Sequence, residues 1–356
     1  MAKSFAGNFF EDFKPGQVIR HATPRTLTDG DIALYIGLTG SRYALFSSDE
    51  FANACGLGHA PADPLLAFHI VFGKTVADVS LNAVANLGYA EGRFLAPVYA
   101  GDTLSATSEV IGVKETSSGK TGVVHVRTTG VNQHGDDVLT FVRWVMVNKR
   151  DPAAPAPSPV TPNLAQIVPP DTLIPPPDLD FSAYDFTLAG SPDGFEDYAV
   201  GEKIDHVDGM TVEEAEHQIA TRLYQNTAKV HFNQHEQAQG RFGKRLIYGG
   251  VAISTARALA FNGLANAAMI LAINAGRHVA PLFAGDTVYA WSEVLAKEML
   301  VGGIGGLRLR LVATKNQPCA AFPYKDAAGE YDPSVILDFD YWAAIPLRGS
   351  GKGPVS

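Results

Sequence analysis

Residues 94–110 read FLAPVYAGDTLSATSEV, and residues 278–294 read HVAPLFAGDTVYAWSEV. The two stretches share the pattern APxxAGDTxxAxSEV, and every matched position is shifted by 184 residues. Self-similarity of this kind indicates that one structural unit is present twice in the chain. Because duplicated units can diverge separately, a comparison of matched positions shows which unit has kept chemically active side chains.

The repeat extends well beyond this stretch. FEDFKPGQVIRH at 10–21 matches FEDYAVGEKIDH at 195–206 with a shift of 185, and the ends of the repeats match with a shift of 198. Residues 151–180 between them are crowded with proline, which disfavours both helices and central strands. We therefore expect a first repeat at 1–150, a proline-rich linker at 151–180 and a second repeat at 181–348.

Each repeat shows the same order of elements. A polar-capped helix (28–38 and 211–224) precedes a long apolar helix (65–80 and 251–261). Several β-rich segments with alternating polarity follow the apolar helix. This order predicts an α+β fold in which an antiparallel sheet curls around one buried helix in each repeat. The Gly-Asp-Thr segments are interpreted as structural turns, because both repeats carry them.

The composition narrows the possible partners. The formal net charge is −9, and we find no basic stripe with interleaved aromatic residues, so nucleic acid is not expected. No apolar run is long enough to cross a membrane, and the N-terminus lacks the pattern of a secretory signal. Two isolated cysteines, Cys55 and Cys319, fit a reducing cytoplasm better than a disulfide framework.

A loop before the second apolar helix resembles a known catalytic motif. It reads QNTAKVH at 225–231, followed by FGKRLIYGG at 242–250. Together with the β-rich repeat, it is similar to the hot-dog fold of MaoC-type (R)-specific enoyl-CoA hydratases, which implies a double hot-dog here. The resemblance places the family's catalytic Asp on Asn226, its catalytic His on His231 and its oxyanion glycine on Gly249.

The chemistry of hydration explains these residue types. A histidine can activate water near neutral pH, because its ordinary pKa is close to neutrality. The backbone N–H groups of Gly249 and Gly250, at a helix start, can stabilise an enolate oxygen. At the matched positions the first repeat has Ser41 and Phe46, which cannot move protons. We therefore predict one active site per chain, built on the second repeat.

Asn226 departs from the family pattern, because an amide cannot accept the proton of water. Three alternatives are open: His231 performs both proton steps, Glu236 or Tyr224 replaces the missing acid, or a carboxylate of the substrate assists. A cluster of cations in the same loop fits an anionic acyl group or the phosphates of CoA. The predicted substrate-binding residues are Lys229, Arg241, Lys244, Arg245 and Tyr248.

The loop is most similar to hydratases of dicarboxylyl-CoA thioesters such as mesaconyl-CoA. The resemblance implies a hydro-lyase that needs no cofactor, and a homo-oligomer, since hot-dog domains commonly assemble through their sheets. A metal site is not expected, because His231 and His235 lack an evident third ligand. Two other functions are considered: an acyl-CoA thioesterase, and a non-catalytic scaffold that binds acyl-CoA or an acyl carrier.

Overall fold

The two repeats form one continuous antiparallel sheet of eleven strands. The computed structural model describes residues 3–349. The strands, in chain order, are β1 (Val18–Arg20), β2 (Arg25–Thr26), β3 (Ala83–Phe94), β4 (Thr103–Glu115), β5 (Thr121–Val131), β6 (Asp137–Asn148), β7 (Lys203–Thr211), β8 (Met269–His278), β9 (Thr287–Leu300), β10 (Ile304–Lys315) and β11 (Val335–Ile345).

The strand order is related by pseudo-two-fold symmetry. Along the sheet the order is β1-β4-β5-β6-β3 and then β8-β11-β10-β9-β7, with β2 paired to β4. The two halves of the sheet join where β3 pairs with β8, and Tyr89 lies opposite Gly276 in that register. The matching strands β3 and β8 are therefore hydrogen-bonded to each other. This seam between β3 and β8 brings distant parts of the sequence together.

Ten helices accompany the sheet in the described part of the chain. They are α1 (Asp29–Thr39), α2 (Ala44–Ser47), α3 (Asp49–Ala54), α4 (Pro64–Thr75), α5 (Phe186–Ala189), α6 (Glu214–Leu223), α7 (Lys229–Phe232), α8 (Gln234–Gln237), α9 (Gly249–Leu259) and α10 (Phe261–Leu264). Short 3₁₀ turns add to these at Phe10–Asp12, Pro170–Thr172 and Phe195–Asp197.

The long central helices α4 and α9 pack in one shared core. Every residue of α4 is buried, as expected for a helix that is apolar on all sides. Asp63 caps the start of α4 by accepting a hydrogen bond from the N–H of Leu65, and Pro64 occupies the first helical position. The predicted α+β class, with an antiparallel sheet around a buried helix in each repeat, is confirmed.

Some predicted boundaries are wrong. The helix α4 ends at Thr75 and continues as a wider turn at Val76–Ser80, whereas α9 begins at Gly249, two positions before the predicted start. Thr28 caps α1 as expected, but Thr211 ends β7, and α6 begins only at Glu214. Sequence patterns place helix ends poorly, because the last turn depends on local capping contacts.

The linker and the turns have mainly structural contacts. Within 151–180, Val160 bridges to Val113, so this part of the linker lies along the sheet. In the Gly-Asp-Thr turns, Asp102 accepts a hydrogen bond from the N–H of Tyr99, and Asp286 does the same for Phe283. The structural interpretation of these turns is confirmed. None of the described helices has the length and apolarity that a bilayer crossing requires.

Candidate active site

A cavity of about 480 Å³ lies between the two repeats. The start of α9 and the loop around α7 form one wall, and α4, β3 and β6 of the first repeat form the other. No aspartate or glutamate lines it, although the whole chain is acidic. The lining polar residues on which the chemistry depends are Asn86, Tyr89, Arg143, Asn226, His231, Arg241, Tyr248 and His278.

His231 lies in α7 and lines this cavity. Its Nδ1 donates a hydrogen bond of 2.9 Å to the carbonyl oxygen of Leu246, which fixes the tautomer with a lone pair on Nε2. Burial lowers the pKa of His231 from 6.5 to about 4. The imidazole is therefore neutral at pH 7 and able to accept a proton.

Asn226 follows α6 and lines the same cavity, with 5% of its surface exposed. Its Oδ1 accepts a hydrogen bond of 3.0 Å from the N–H of Ala228, an assignment that rests on this contact. No residue within 3–349 accepts a hydrogen bond from the other end of the amide, Nδ2. Asn226 can therefore donate a hydrogen bond from Nδ2 to the oxygen atom of a water molecule in the cavity and so orient that water.

The start of α9 provides exposed backbone donors. Gly249 and Gly250 are its first two residues, and the preceding Tyr248 makes no side-chain cap. The first N–H groups of a helix have no partner inside the helix, so they are available to an oxyanion. A side chain at Gly249 would collide with the ring of His278, with a Cβ only 2.3 Å from the nearest ring atom. Gly249 lines the cavity and Gly250 does not.

Tyr248 joins these groups to one another. Its backbone N–H donates to Nε2 of His217 at 2.9 Å, and its ring lies 5.5 Å from that of His231, edge to face. The Tyr248 hydroxyl is buried without a hydrogen-bond partner among the described residues. Burial raises the pKa of Tyr248 well above its ordinary value, so the phenol is neutral. An unpaired buried hydroxyl in a cavity marks a place for a polar ligand group.

The predicted cations are divided by the structure. Arg241 lines the cavity, with its guanidinium 5.1 Å from the ring centroid of Phe242. Three others lie outside the lining: Lys229 pairs with Glu236, Arg245 pairs with Glu214, and Lys244 packs over Phe283. The contacts of these three residues with CoA stay predictions.

Of the alternative acids, neither Glu236 nor Tyr224 lines the cavity. Glu236 is exposed and bonds to Asn233, whereas Tyr224 is buried in the shared core. The lining therefore does not support Glu236 or Tyr224 as the replacement for the missing carboxylate. His231 and the substrate's own carboxylate are the two alternatives that the geometry leaves.

Sequence reasoning missed four of the polar side chains that line the cavity: His278, Tyr89, Arg143 and Asn86. The Tyr89 hydroxyl lies 3.2 Å from Nε2 of His278. A signal for His278 was present, because the matched position of the first repeat is Phe94. Arg143 stands alone among apolar residues in VLTFVRWVMV at 138–147, a run that reads as a core strand.

The first repeat has a much smaller pocket at the matched place. Its volume is about 30 Å³, and Pro64 occupies the position that corresponds to Gly249. Proline has no N–H to offer an oxyanion. Ile174 and Pro176 of the linker also line this pocket. The counterpart of the cavity is therefore closed and lacks the donor at the helix start.

Solved structures with the same arrangement define the class. A MaoC domain protein dehydratase from Chloroflexus aurantiacus superimposes with a TM-score of 0.96 and 62% identity, covering 98% of this chain and all of that one. A Mycobacterium tuberculosis protein described as a double hotdog gives a TM-score of 0.73 and 26% identity, covering 95% and 98%. The fold is thus the double hot-dog of MaoC-like dehydratases, as predicted.

Sequence comparison narrows this class. The profile described as mesaconyl-CoA hydratase matches residues 2–315. The β-methylmalyl-CoA dehydratase of Chloroflexus aurantiacus is 62% identical over 98% of this chain and 99% of its own. The mesaconyl-CoA hydratase of Cereibacter sphaeroides is 62% identical over 97% and 99%. The chain belongs to the mesaconyl-CoA hydratase family.

Proposed function

We propose that this chain is a hydro-lyase that reversibly adds water to mesaconyl-CoA, giving β-methylmalyl-CoA. The family and the near-complete similarity to a hydratase and a dehydratase support this activity. The observation that carries the mechanism is the fixed tautomer of His231 in a cavity without protein carboxylates. A neutral imidazole with a free Nε2 can accept a proton from water at pH 7.

In the proposed mechanism Asn226 and His231 hold the water together. Nδ2 of Asn226 donates to the water oxygen, and Nε2 of His231 accepts one of its protons as the new C–O bond forms at the β-carbon. The electrons of the double bond move toward the thioester carbonyl, whose oxygen becomes an enolate. The N–H groups of Gly249 and Gly250 stabilise that charge, which is worth about a hundredfold in rate for one donor.

His231 then completes the proton balance. Its imidazolium gives a proton to the α-carbon as the enolate collapses, and the neutral base is restored. One water is consumed and one C–H and one C–O bond are formed, with no change of oxidation state overall. The position of Arg241 at the cavity supports a role in holding the CoA portion, together with Lys229, Lys244 and Arg245, which lie outside the lining.

The decisive experiment measures hydration of mesaconyl-CoA by the loss of absorbance of the conjugated thioester. Wild-type protein should turn it over without releasing free thiol, whereas a thioesterase would release CoA and a scaffold would bind without turnover. His231→Ala should lower kcat by about a hundredfold to ten-thousandfold, because the base is removed.

His235→Ala is the matched control, since His235 is exposed and lies outside the cavity lining. We expect its rate to stay within about twofold of wild type, because substitutions at exposed sites usually have small effects. A His231→Ala protein that is folded and keeps the wild-type rate would refute the assigned base.

We further propose that the protein is a cytoplasmic homo-oligomer. Both cysteines are free and buried, which fits a reducing compartment. The sheet of a hot-dog repeat presents a broad face opposite its helix, and such faces commonly associate. Light scattering coupled to gel filtration tests the assembly, and a monomer at working concentration would contradict it.

A further inference from the structure

Arg143 is a fully buried cation without a counter-ion. It lies in β6 with 0% of its surface exposed, and it forms no ion pair within residues 3–349. Its Nη2 donates to Oγ1 of Thr75 at 2.7 Å and to Oγ of Ser80 at 3.3 Å, and its Nε has no partner. Arginine is almost never buried in this way unless a charge pairs with it.

The guanidinium belongs to the same cavity as the proposed base. It lies 4.3 Å above the ring centroid of Phe72, which is 5.8 Å from that of Tyr248, and Tyr248 contacts His231. Asn86 also lines the cavity, and both ends of its amide are buried without partners. The cavity therefore contains unpaired donors and a fixed positive charge, with no protein carboxylate to neutralise it.

Burial lowers the pKa of Arg143 to about 10, so the side chain is still cationic at pH 7. The other fully buried arginine in the described chain, Arg257, differs in its contacts. It donates through Nη2 to the carbonyl oxygens of Ala267 and Ala268 and does not line the cavity. Both arginines have guanidinium nitrogens without a partner, but only Arg143 lines the cavity, where a ligand can reach it.

We propose that Arg143, supplied by the first repeat, binds the free carboxylate at the far end of a dicarboxylyl-CoA substrate. The inference rests on the proposed hydratase function and deepens it, because it assigns the residue that selects a dicarboxylate over an ordinary enoyl group. Arginine suits this task, since its planar donors match a carboxylate in a paired, charge-assisted contact.

The exposure of the residues that line the cavity fits this placement of the carboxylate. Phe242 is 40% exposed and Arg241 is exposed, so they mark the mouth, where the CoA portion would lie. Arg143, in contrast, lines the cavity with none of its surface exposed. In the proposed pose the carboxylate of the acyl group lies at the guanidinium, and the CoA portion lies at the exposed residues. The thioester oxygen then reaches Gly249 while the carboxylate reaches Arg143.

The contact also assists the chemistry. In mesaconyl-CoA the free carboxylate is attached to the carbon that water attacks. Its negative charge repels an incoming water that is losing a proton, and a guanidinium neutralises that charge. Arg143 is therefore expected to affect both the KM for a dicarboxylyl-CoA and its kcat, and to have little influence on a substrate that lacks the carboxylate.

The test compares two substrates that differ only at this end: mesaconyl-CoA and tiglyl-CoA, in which a methyl group replaces the carboxylate. Arg143→Met keeps a long side chain and removes the charge. It should lower kcat/KM for mesaconyl-CoA by about a hundredfold, the usual effect of losing a hydrogen bond to a charged group. The kcat/KM for tiglyl-CoA should stay the same or rise.

Two controls keep the test decisive. Arg127→Met, on the neighbouring strand and outside the cavity lining, should leave the preference between the two substrates unchanged. Arg143→Lys keeps the charge and should retain a reduced preference for mesaconyl-CoA, and it serves if Arg143→Met does not fold. Equal losses for both substrates in the Arg143 variants would overturn the inference.

Binding of unreactive thioesters separates this inference from the proposed function. Calorimetry with methylsuccinyl-CoA and 2-methylbutyryl-CoA compares carboxylate with methyl without any turnover. Wild type should bind the dicarboxylate about tenfold or more tightly, and Arg143→Met should lose that difference. If wild type hydrates mesaconyl-CoA but the Arg143 variants keep the full preference, only the present inference fails. If wild type binds the dicarboxylate selectively without hydrating mesaconyl-CoA, only the proposed function fails.

Discussion

Single substitutions explain why the two repeats differ chemically. His231 corresponds to Phe46, His278 to Phe94 and Gly249 to Pro64. Each change in the first repeat removes a group that hydration could use: a proton acceptor, a second ring nitrogen near the site, and a backbone donor. The first repeat has kept its packing residues, so Phe46 is buried in a hydrophobic cluster instead of facing a ligand.

The tautomer and burial of His231 predict an unusual pH profile. Because burial lowers its pKa from 6.5 to about 4, the imidazole stays neutral through the range in which an ordinary histidine is protonated. The kcat/KM for mesaconyl-CoA should therefore be level from pH 8 to about pH 5.5 and fall tenfold per unit only below about pH 4. Initial rates in constant-ionic-strength buffers measure this.

Acid unfolding must be separated from titration of the base. Samples held at each low pH and returned to pH 7 should recover full activity if the loss is protonation alone. A decline that begins between pH 7 and 6, in protein that recovers fully, would contradict the lowered pKa of His231.

At the scale of one element, the start of α9 combines poor helix propensity with good chemistry. Two adjacent glycines disfavour a helix by about 1 kcal/mol each relative to alanine. The structure shows a reason for the first, because the ring of His278 lies where a side chain of residue 249 would be. The absence of a side-chain cap from Tyr248 leaves the same donors open to a ligand.

Gly249→Ala should therefore impair the site more than the fold. Its Cβ would force the His278 ring to move and would narrow the approach of a thioester to the helix start. We expect kcat to fall by about a hundredfold, comparable to the loss of one oxyanion donor. Steady-state kinetics with mesaconyl-CoA measure the change, and thermal unfolding reports the fold.

Gly37→Ala is the matched control in another helix, α1. Nothing lies within 4 Å of an added Cβ there, so the change should leave activity intact and raise stability by about 0.5–1 kcal/mol. Wild-type kinetics in Gly249→Ala would show that the close approach at this helix start is not required.

The whole molecule is asymmetric although its fold is nearly symmetric. The seam between β3 and β8 makes one sheet, and each repeat contributes a wall to a cavity at the other's helix start. Only one of the two cavities is large: the one at the start of α9 has a volume of about 480 Å³, and the one at the start of α4 has about 30 Å³. The first repeat thus forms the second wall of the candidate site at the start of α9.

This asymmetry predicts one ligand per chain. Calorimetric titration of wild-type protein with methylsuccinyl-CoA should saturate at one equivalent, because the pocket beside Pro64 is too small for an acyl group and is bordered by the linker. The stoichiometry should be the same at different protein concentrations. Two equivalents of similar affinity would contradict a closed site in the first repeat.

The sequence by itself determined the duplication, the α+β class and the loop that carries His231. These follow from local patterns: a repeated turn motif, apolar periodicity, and a short motif of fixed spacing. The comparison of repeats also indicated which of them keeps titratable groups. Such features are encoded within a few tens of residues, so neighbouring positions are enough to detect them.

Only the tertiary structure decided which side chains share the cavity. Arg143 and Tyr89 reach it from the first repeat because two strands meet at a seam, and that meeting depends on packing between parts far apart in sequence. The tautomer of His231 depends on the carbonyl of Leu246, which no motif specifies. Charge patterns alone predicted that Lys229, Lys244 and Arg245 bind the substrate. The same packing leaves these three residues outside the cavity lining.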